Sequence, residues 1–120
     1  MNLLAIQDMQ KFMPTQIPTL ESADLAAVAV EVSTFLKAIA NPDRLQILCI
    51  LVNEGMNVSA LEKKTGIPQP RLSQHLARLR QEGLVSTQRN AKEICYSLAS
   101  NEAQEVISLL HRLYCAPSSD

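Results

Sequence analysis

Apolar positions recur every three or four residues from Leu25 onward. Leu25, Val28, Val32, Phe35, Leu36 and Ile39 share one face, which predicts a helix running to about Ala40. Ser22, with Asp24 in the first turn behind it, is a capping signal for that helix. Asn41-Pro42 then supplies a cap and a proline at a first helical position, and Leu45, Leu48, Cys49 and Val52 mark one face of a second helix that Gly55 ends. Ser59-x-x-Glu62 has the spacing of a capping box and predicts a short helix closing at Gly66. A fourth helix starts near Pro70 and carries a narrow stripe of Leu72, Leu76 and Leu79. After Gly83 the period changes from helical to alternating. Val85 to Arg89, a polar turn around Asn90 to Glu93, and Ile94, Tyr96 and Leu98 read as a two-stranded hairpin. Asn101, with Glu102 and Glu105 in the first turn, opens a last helix whose apolar positions are Ala103, Val106, Ile107, Leu110 and Leu113.

The predicted class is mainly α with a small β-hairpin (α+β). Its order is four helices, two strands and a helix, and two short helices separated by Gly66 to Gln69 followed by a hairpin make a winged helix-turn-helix. A chain of 120 residues supports one compact domain, placed here at residues 21–116. Residues 1–20, with Pro14 and Pro18, read as a mobile arm with room for one short helix, and residues 117–120 as a disordered tail. With aromatic residues at 3%, the core must be built from Leu, Ile, Val and Ala. Both outer helices, residues 22–40 and 101–114, have apolar faces wider than one small domain covers, so a homodimer is expected. Dimerisation would set two recognition helices about 34 Å apart, the repeat of the major groove along one side of a duplex.

A net charge of −1 would argue against nucleic acid if charge were evenly spread, but it is not. Between Ser59 and Lys92 stand Lys63, Lys64, Arg71, Arg78, Arg80, Arg89 and Lys92 against only Glu62 and Glu82, and it is the local field that meets a phosphate backbone. On the fourth helix Gln69, Arg71, Ser73 and Gln74 are the candidates for base edges, because Gln matches adenine and Arg matches guanine in the major groove. Arg78, Arg89, Asn90 and Lys92 are candidates for phosphate or minor-groove contacts. The competing reading is a solvated polar face, and His75, on the flank of the leucine stripe, reads equally as a plain hydrogen-bonding residue.

Other classes find less support. The longest apolar run, Ile47 to Val52, is far short of the roughly 20 residues of a membrane span, and the start of the chain lacks a secretory signal pattern, which together predict a cytoplasmic protein. No Gly-rich phosphate loop and no Ser/His/Asp set is present, so neither an enzyme nor a cofactor is expected. Three cysteines, Cys49, Cys95 and Cys115, do not make a disulfide framework. In a reducing compartment a thiol pair is more often regulatory or metal-binding.

The segments Leu36-Lys-Ala-Ile-Ala-Asn-Pro-Asp-Arg-Leu-Gln-Ile-Leu, Leu72-Ser-Gln-His-Leu-Ala-Arg-Leu-Arg-Gln-Glu-Gly-Leu-Val and Ile94-Cys-Tyr-Ser-Leu resemble the ArsR/SmtB family of dimeric winged-helix repressors over roughly residues 25–115. Cys49 in Leu45-Gln-Ile-Leu-Cys and the ending Leu109-Leu-His-Arg-Leu-Tyr-Cys115 are similar to the sulfur- and redox-responsive branch that contains HlyU, BigR and SqrR. That resemblance implies a transcriptional regulator that binds operator double-stranded DNA as a homodimer. It further implies release when Cys49 and Cys115 react with sulfane sulfur or an oxidant to form a disulfide or polysulfide link. For Cys49 alone the default is a buried, inert thiol, since free cysteine packs as a small hydrophobe. Cys95, in the second wing strand, reads as a simple strand residue. The alternatives are a metal-responsive member of the family, for which His111 and Cys115 are spaced four apart but lack further ligands, and a winged-helix regulator with no sensing site.

Overall fold

The computed structural model describes residues 22–115, so the expected arm at 1–20 and the tail at 117–120 lie outside the described residues. The chain divides into two units, Met1–Thr34 and Phe35–Asp120. Of the first, the helical segment at residues 22–34 is described by itself. The elements in chain order are α1 (Ser22–Ile39), α2 (Pro42–Asn53), β1 (Met56–Asn57), α3 (Val58–Thr65), α4 (Gln69–Gln81), β2 (Val85–Asn90), β3 (Glu93–Leu98) and α5 (Asn101–Tyr114). Five helices and a small antiparallel sheet therefore agree with the expected class, with one strand more than the sequence pattern showed.

The start signals hold in kind and shift in place. Asn41 caps α2, its side-chain oxygen accepting from the backbone N–H groups of Asp43 and Arg44, with Pro42 at the first helical position. The cap of α3 is Asn57, accepting from the Ala60 N–H at 2.8 Å, two residues before the expected Ser59 box. Asn57 also ends β1, so the turn from strand to helix leaves it the better-placed acceptor. Ser100, not Asn101, caps α5 through its Oγ to the Ala103 N–H at 3.0 Å. Gly66 closes α3 at φ 75, a left-handed geometry in which a Cβ is strained.

Among the described residues the core of the second unit is aliphatic apart from Met56, and no polar side chain is buried in it. Ile47, Leu48, Leu61, Ile67, Leu72, Leu76, Leu79 and Ile107 are its fully buried large side chains, with Ala38, Ile39 and Ala103 filling the narrower gaps. Thus α4 buries its leucine stripe as expected, whereas α2 is rotated from the expected face. Ile47, Leu48 and Leu51 point inward, and Leu45, Cys49 and Val52 are only half-buried. This rotation brings Cys49 to the edge of the core instead of its centre.

In the sheet, β3 is the middle strand, with order β1-β3-β2 and both pairings antiparallel. Tyr96 pairs with Met56 on one side and Thr87 on the other, and Cys95 with Asn57 and Gln88. Asn90 opposite Glu93 leaves a two-residue turn, with Ala91 held at φ 61 where glycine is the usual occupant. β1 is too short for its alternation to register in sequence. Its closeness to β3 explains Gly55, which the sequence assigned to helix termination: α2 in fact ends with Glu54 in an extended conformation. A Cβ on Gly55 would collide with the Ser97 Oγ, lie 2.9 Å from the Tyr96 carbonyl oxygen and 3.2 Å from the Cys95 Sγ. Gly55→Ala is accordingly expected to lower stability by about 1–3 kcal/mol, the usual range for overpacking, read as a lower urea midpoint with an unchanged slope.

Candidate functional site

Two sets of side chains carry chemistry, one around α4 and the wing, the other between α2 and α5. At 100° per residue, the three faces of α4 outside its leucine stripe divide the sequence-derived candidates. Gln74, with Gln81 seven residues on, lies opposite the core and points outward. Arg71, His75 and Arg78 form one flank. Ser73, Ala77 and Arg80 form the other, where they line a shallow groove of ≈ 460 Å³ with Gln81 and Tyr96. Gln69, Arg71, Ser73, Gln74 and Arg78 are all exposed, and so are Arg89, Asn90 and Lys92 at the wing tip. Helix and wing therefore present both expected groups on the surface. Arg80, counted in the sequence only as part of the local basic surplus, is exposed on the same flank as Ser73. Its signal was the seven-residue step from Ser73, which places both on the wing side of α4.

Several of these side chains have intramolecular partners. The Arg71 Nε donates to Asp43 Oδ2 at 2.7 Å, so this base-edge candidate leans along the flank toward the start of α2. His75 takes the hydrogen-bonding role, its Nε2 lying 3.1 Å from the same Asp43 oxygen. Arg44 reaches the other side of that ring, with Nη1 3.5 Å from Nδ1, while its remaining nitrogens donate to the Lys37 and Ala38 carbonyl oxygens. The arrangement fits a His75 that donates from Nε2 and accepts at Nδ1. Burial works against ionisation of Asp43, but hydrogen bonds from Arg71 and His75 outweigh it and hold the carboxyl below its ordinary value. Gln69 Nε2 donates to Glu62 at 3.3 Å, Arg78 lies 3.9 Å from Glu82, and Arg89 Nε donates to the Ala91 carbonyl oxygen at 3.4 Å. These are exposed contacts, readily exchanged for others.

The second set occupies a groove of ≈ 530 Å³ lined by Leu45, Gln46, Cys49 and Ile50 of α2 and by Leu110, His111, Tyr114 and Cys115 at the end of α5. Cys49 and Cys115, far apart in sequence, thus open into one largely apolar space. Both are free thiols, Cys49 half-buried and Cys115 exposed. Burial pushes the Cys49 thiol up from its ordinary pKa, and the neighbouring Cys115 adds to the effect. On α5, Leu109 and Leu113 are exposed, Leu113 at 64%, and so is Tyr114, which also lines the groove. Cys95 pairs within the sheet and sits against Gly55, away from this groove. Among the described residues no three His, Cys, Asp or Glu side chains gather closely enough to hold a metal ion, and no single helix is long and apolar enough to cross a membrane.

A helix-turn-helix of α3 and α4, followed by a hairpin that presents basic residues beside the second helix, is a winged helix-turn-helix, the architecture of DNA-binding transcriptional regulators. Residues 41–87 match the family described as bacterial regulatory protein, arsR family. The chain belongs to that family. It is 43% identical over 102 residues to the transcriptional activator HlyU of Vibrio cholerae serotype O1, covering 85% of this chain and 90% of the relative. The structure of reduced HlyU from the same organism superposes with a TM-score of 0.74 over 77% of this chain and 97% of that one, at 43% identity. The transcriptional repressor BigR from Xylella fastidiosa matches with a TM-score of 0.73 at 39% identity, covering 82% of this chain and all of that one (100%). A homodimeric winged helix-turn-helix DNA-binding domain from Mycobacterium bovis matches with a TM-score of 0.68 at 29% identity, over 79% and 88% of the two chains.

Proposed function

We propose that this protein is a cytoplasmic dithiol switch that binds operator DNA as a homodimer and leaves it when Cys49 and Cys115 are linked. The observation that carries the reading is their common groove between α2 and α5. Cys115 is the exposed partner and attacks first. Cys49, whose ionisation burial opposes, resolves. With a low-molecular-weight persulfide, the Cys115 thiolate takes the outer sulfur and the parent thiol leaves, giving a persulfide on Cys115. Cys49 then attacks the inner sulfur of that persulfide, forming the disulfide and releasing hydrogen sulfide. With peroxide the intermediate is a sulfenic acid, and each of the two steps releases one water. If Cys115 first accepts two sulfane sulfur atoms from two persulfide molecules, each releasing its parent thiol, attack by Cys49 on the inner added sulfur expels hydrogen sulfide and leaves the polysulfide form of the link.

The link ties α2 to α5, and the exposed Leu109, Leu113 and Tyr114 of α5 are the proposed dimer face. Shifting α5 therefore changes the separation of the two α4 helices, and the match to successive major grooves is lost without altering any base contact. Gln69, Ser73 and Gln74 are proposed to read bases. Arg71, Arg78, Arg89, Asn90 and Lys92 are the proposed phosphate and minor-groove contacts, and Arg80, exposed on α4, is proposed with them. The homodimeric winged helix-turn-helix relative from M. bovis and the repressor BigR support the reading of a homodimeric DNA-binding regulator at the level of the family.

The test pairs intact-mass spectrometry with operator affinity after polysulfide or peroxide treatment, across a salt series. Log affinity is expected to fall with log salt at a slope near −0.9 per neutralised phosphate for the reduced protein. Affinity is expected to drop only in samples whose mass shows the Cys49–Cys115 link. Salt-insensitive binding would reject the nucleic-acid reading, and undiminished affinity of the linked protein would reject the switch.

A further inference from the structure

Arg71, a candidate DNA contact, is engaged within the protein by the carboxylate of Asp43. Arg71 meets it at 2.7 Å through Nε, on the flank of α4 and at the surface: the Arg71 side chain is 55% exposed and Asp43 22%. A phosphate oxygen and a carboxylate oxygen compete for the same guanidinium N–H. Asp43 also has a second partner, because His75 Nε2 lies 3.1 Å from the same oxygen and is mostly buried. Departure of Arg71 therefore does not strand the carboxylate. Asp43 itself is anchored at the capped start of α2, and Arg44, its neighbour in sequence, backs His75 from behind.

We propose that Asp43 is an internal stand-in for a DNA phosphate, holding Arg71 along the flank of α4 in the free protein and surrendering it to the duplex backbone on binding, while His75 stays with Asp43. Arg71 is then a phosphate contact and not a base reader. Asp43 sets the basal affinity for DNA of any sequence: its competition weakens nonspecific binding and leaves discrimination to Gln69, Ser73 and Gln74. The inference rests on the DNA-binding reading above and is independent of the thiol chemistry.

The test uses reduced full-length protein and a fluorescein-labelled duplex of mixed sequence, with affinities measured by anisotropy over a salt series for wild type, D43N, R71Q, R71K and the D43N/R71Q double variant. R71Q is expected to bind several-fold more weakly, with a salt slope shallower by about 0.9, and R71K to restore that slope. D43N is expected to bind several-fold more tightly, and this gain is expected to vanish in the R71Q background. A wild-type slope in R71Q would overturn the proposal, as would a D43N gain that persists undiminished in the double variant, which is the signature of a general charge effect. Failure of wild type to bind the duplex at any salt would instead reject DNA binding itself. Thermal melts of each variant, followed by circular dichroism, separate a folding defect from a change in binding, and the slope of R71K against R71Q reads Arg71 through charge alone.

Discussion

Cys115→Ser is expected to bind operator like the wild type and to ignore polysulfide, because the exposed attacking thiol is gone and burial keeps Cys49 mostly protonated at neutral pH. Cys49→Ser is expected to stop one step later, carrying a persulfide on Cys115 with no crosslink, and also to remain on DNA. The wild type should lose about 5- to 150-fold in affinity, corresponding to a coupling of about 1–3 kcal/mol between the link and DNA binding. Mass spectrometry separates the two variants: one added sulfur atom on Cys49→Ser, none on Cys115→Ser. Since the Cys49 pKa lies above that of an ordinary thiol, its thiolate fraction at neutral pH is reduced. The crosslinking rate in the wild type should therefore keep rising with pH through the range in which an ordinary thiol has already levelled off. A single-cysteine variant that still lets go of DNA in polysulfide would reject the two-thiol mechanism.

Leu76→Ala is expected to cost about 2–5 kcal/mol, since Leu76 is 0% exposed beneath α4 and its removal leaves a cavity that the surrounding aliphatic side chains close only in part. Against a total stability of about 5–15 kcal/mol this is a large share, and the urea midpoint should fall accordingly. Leu113→Ala is the contrasting case. Leu113 is 64% exposed in the isolated chain, so its loss leaves the core of the unit intact and is expected to weaken self-association instead. Sedimentation at several concentrations should show a shift from dimer toward monomer, with the secondary structure unchanged. If Leu113→Ala sediments as the wild type does, the proposed dimer face on α5 is wrong.

The division between what was legible in sequence and what was not follows the range of the forces involved. Helix identity, the leucine stripe of α4, the Asn41-Pro42 start and the wing were readable because period, capping and turn chemistry act over three to six residues. The position of a cap within two residues was not, since Asn57 outcompetes Ser59 only once β1 has paired with β3. Cys49 and Cys115 could be singled out by residue type and by resemblance, but their opening into one groove depends on α2 rotating Ile47 and Leu51 inward and on α5 packing beside it.

What the amino-acid order determined by itself is the order of the five helices and the wing hairpin, the family and the identity of the polar stripe on α4, because each is written in local periodicity and residue chemistry. The tertiary structure alone decided which of those polar residues is already engaged. Asp43 and Arg71 belong to different helices, and nothing in the spacing of either announces that a carboxylate and a guanidinium will meet at 2.7 Å. Such pairings depend on how α2 and α4 dock, and docking is set by burial of the shared aliphatic core, to which neither side chain contributes.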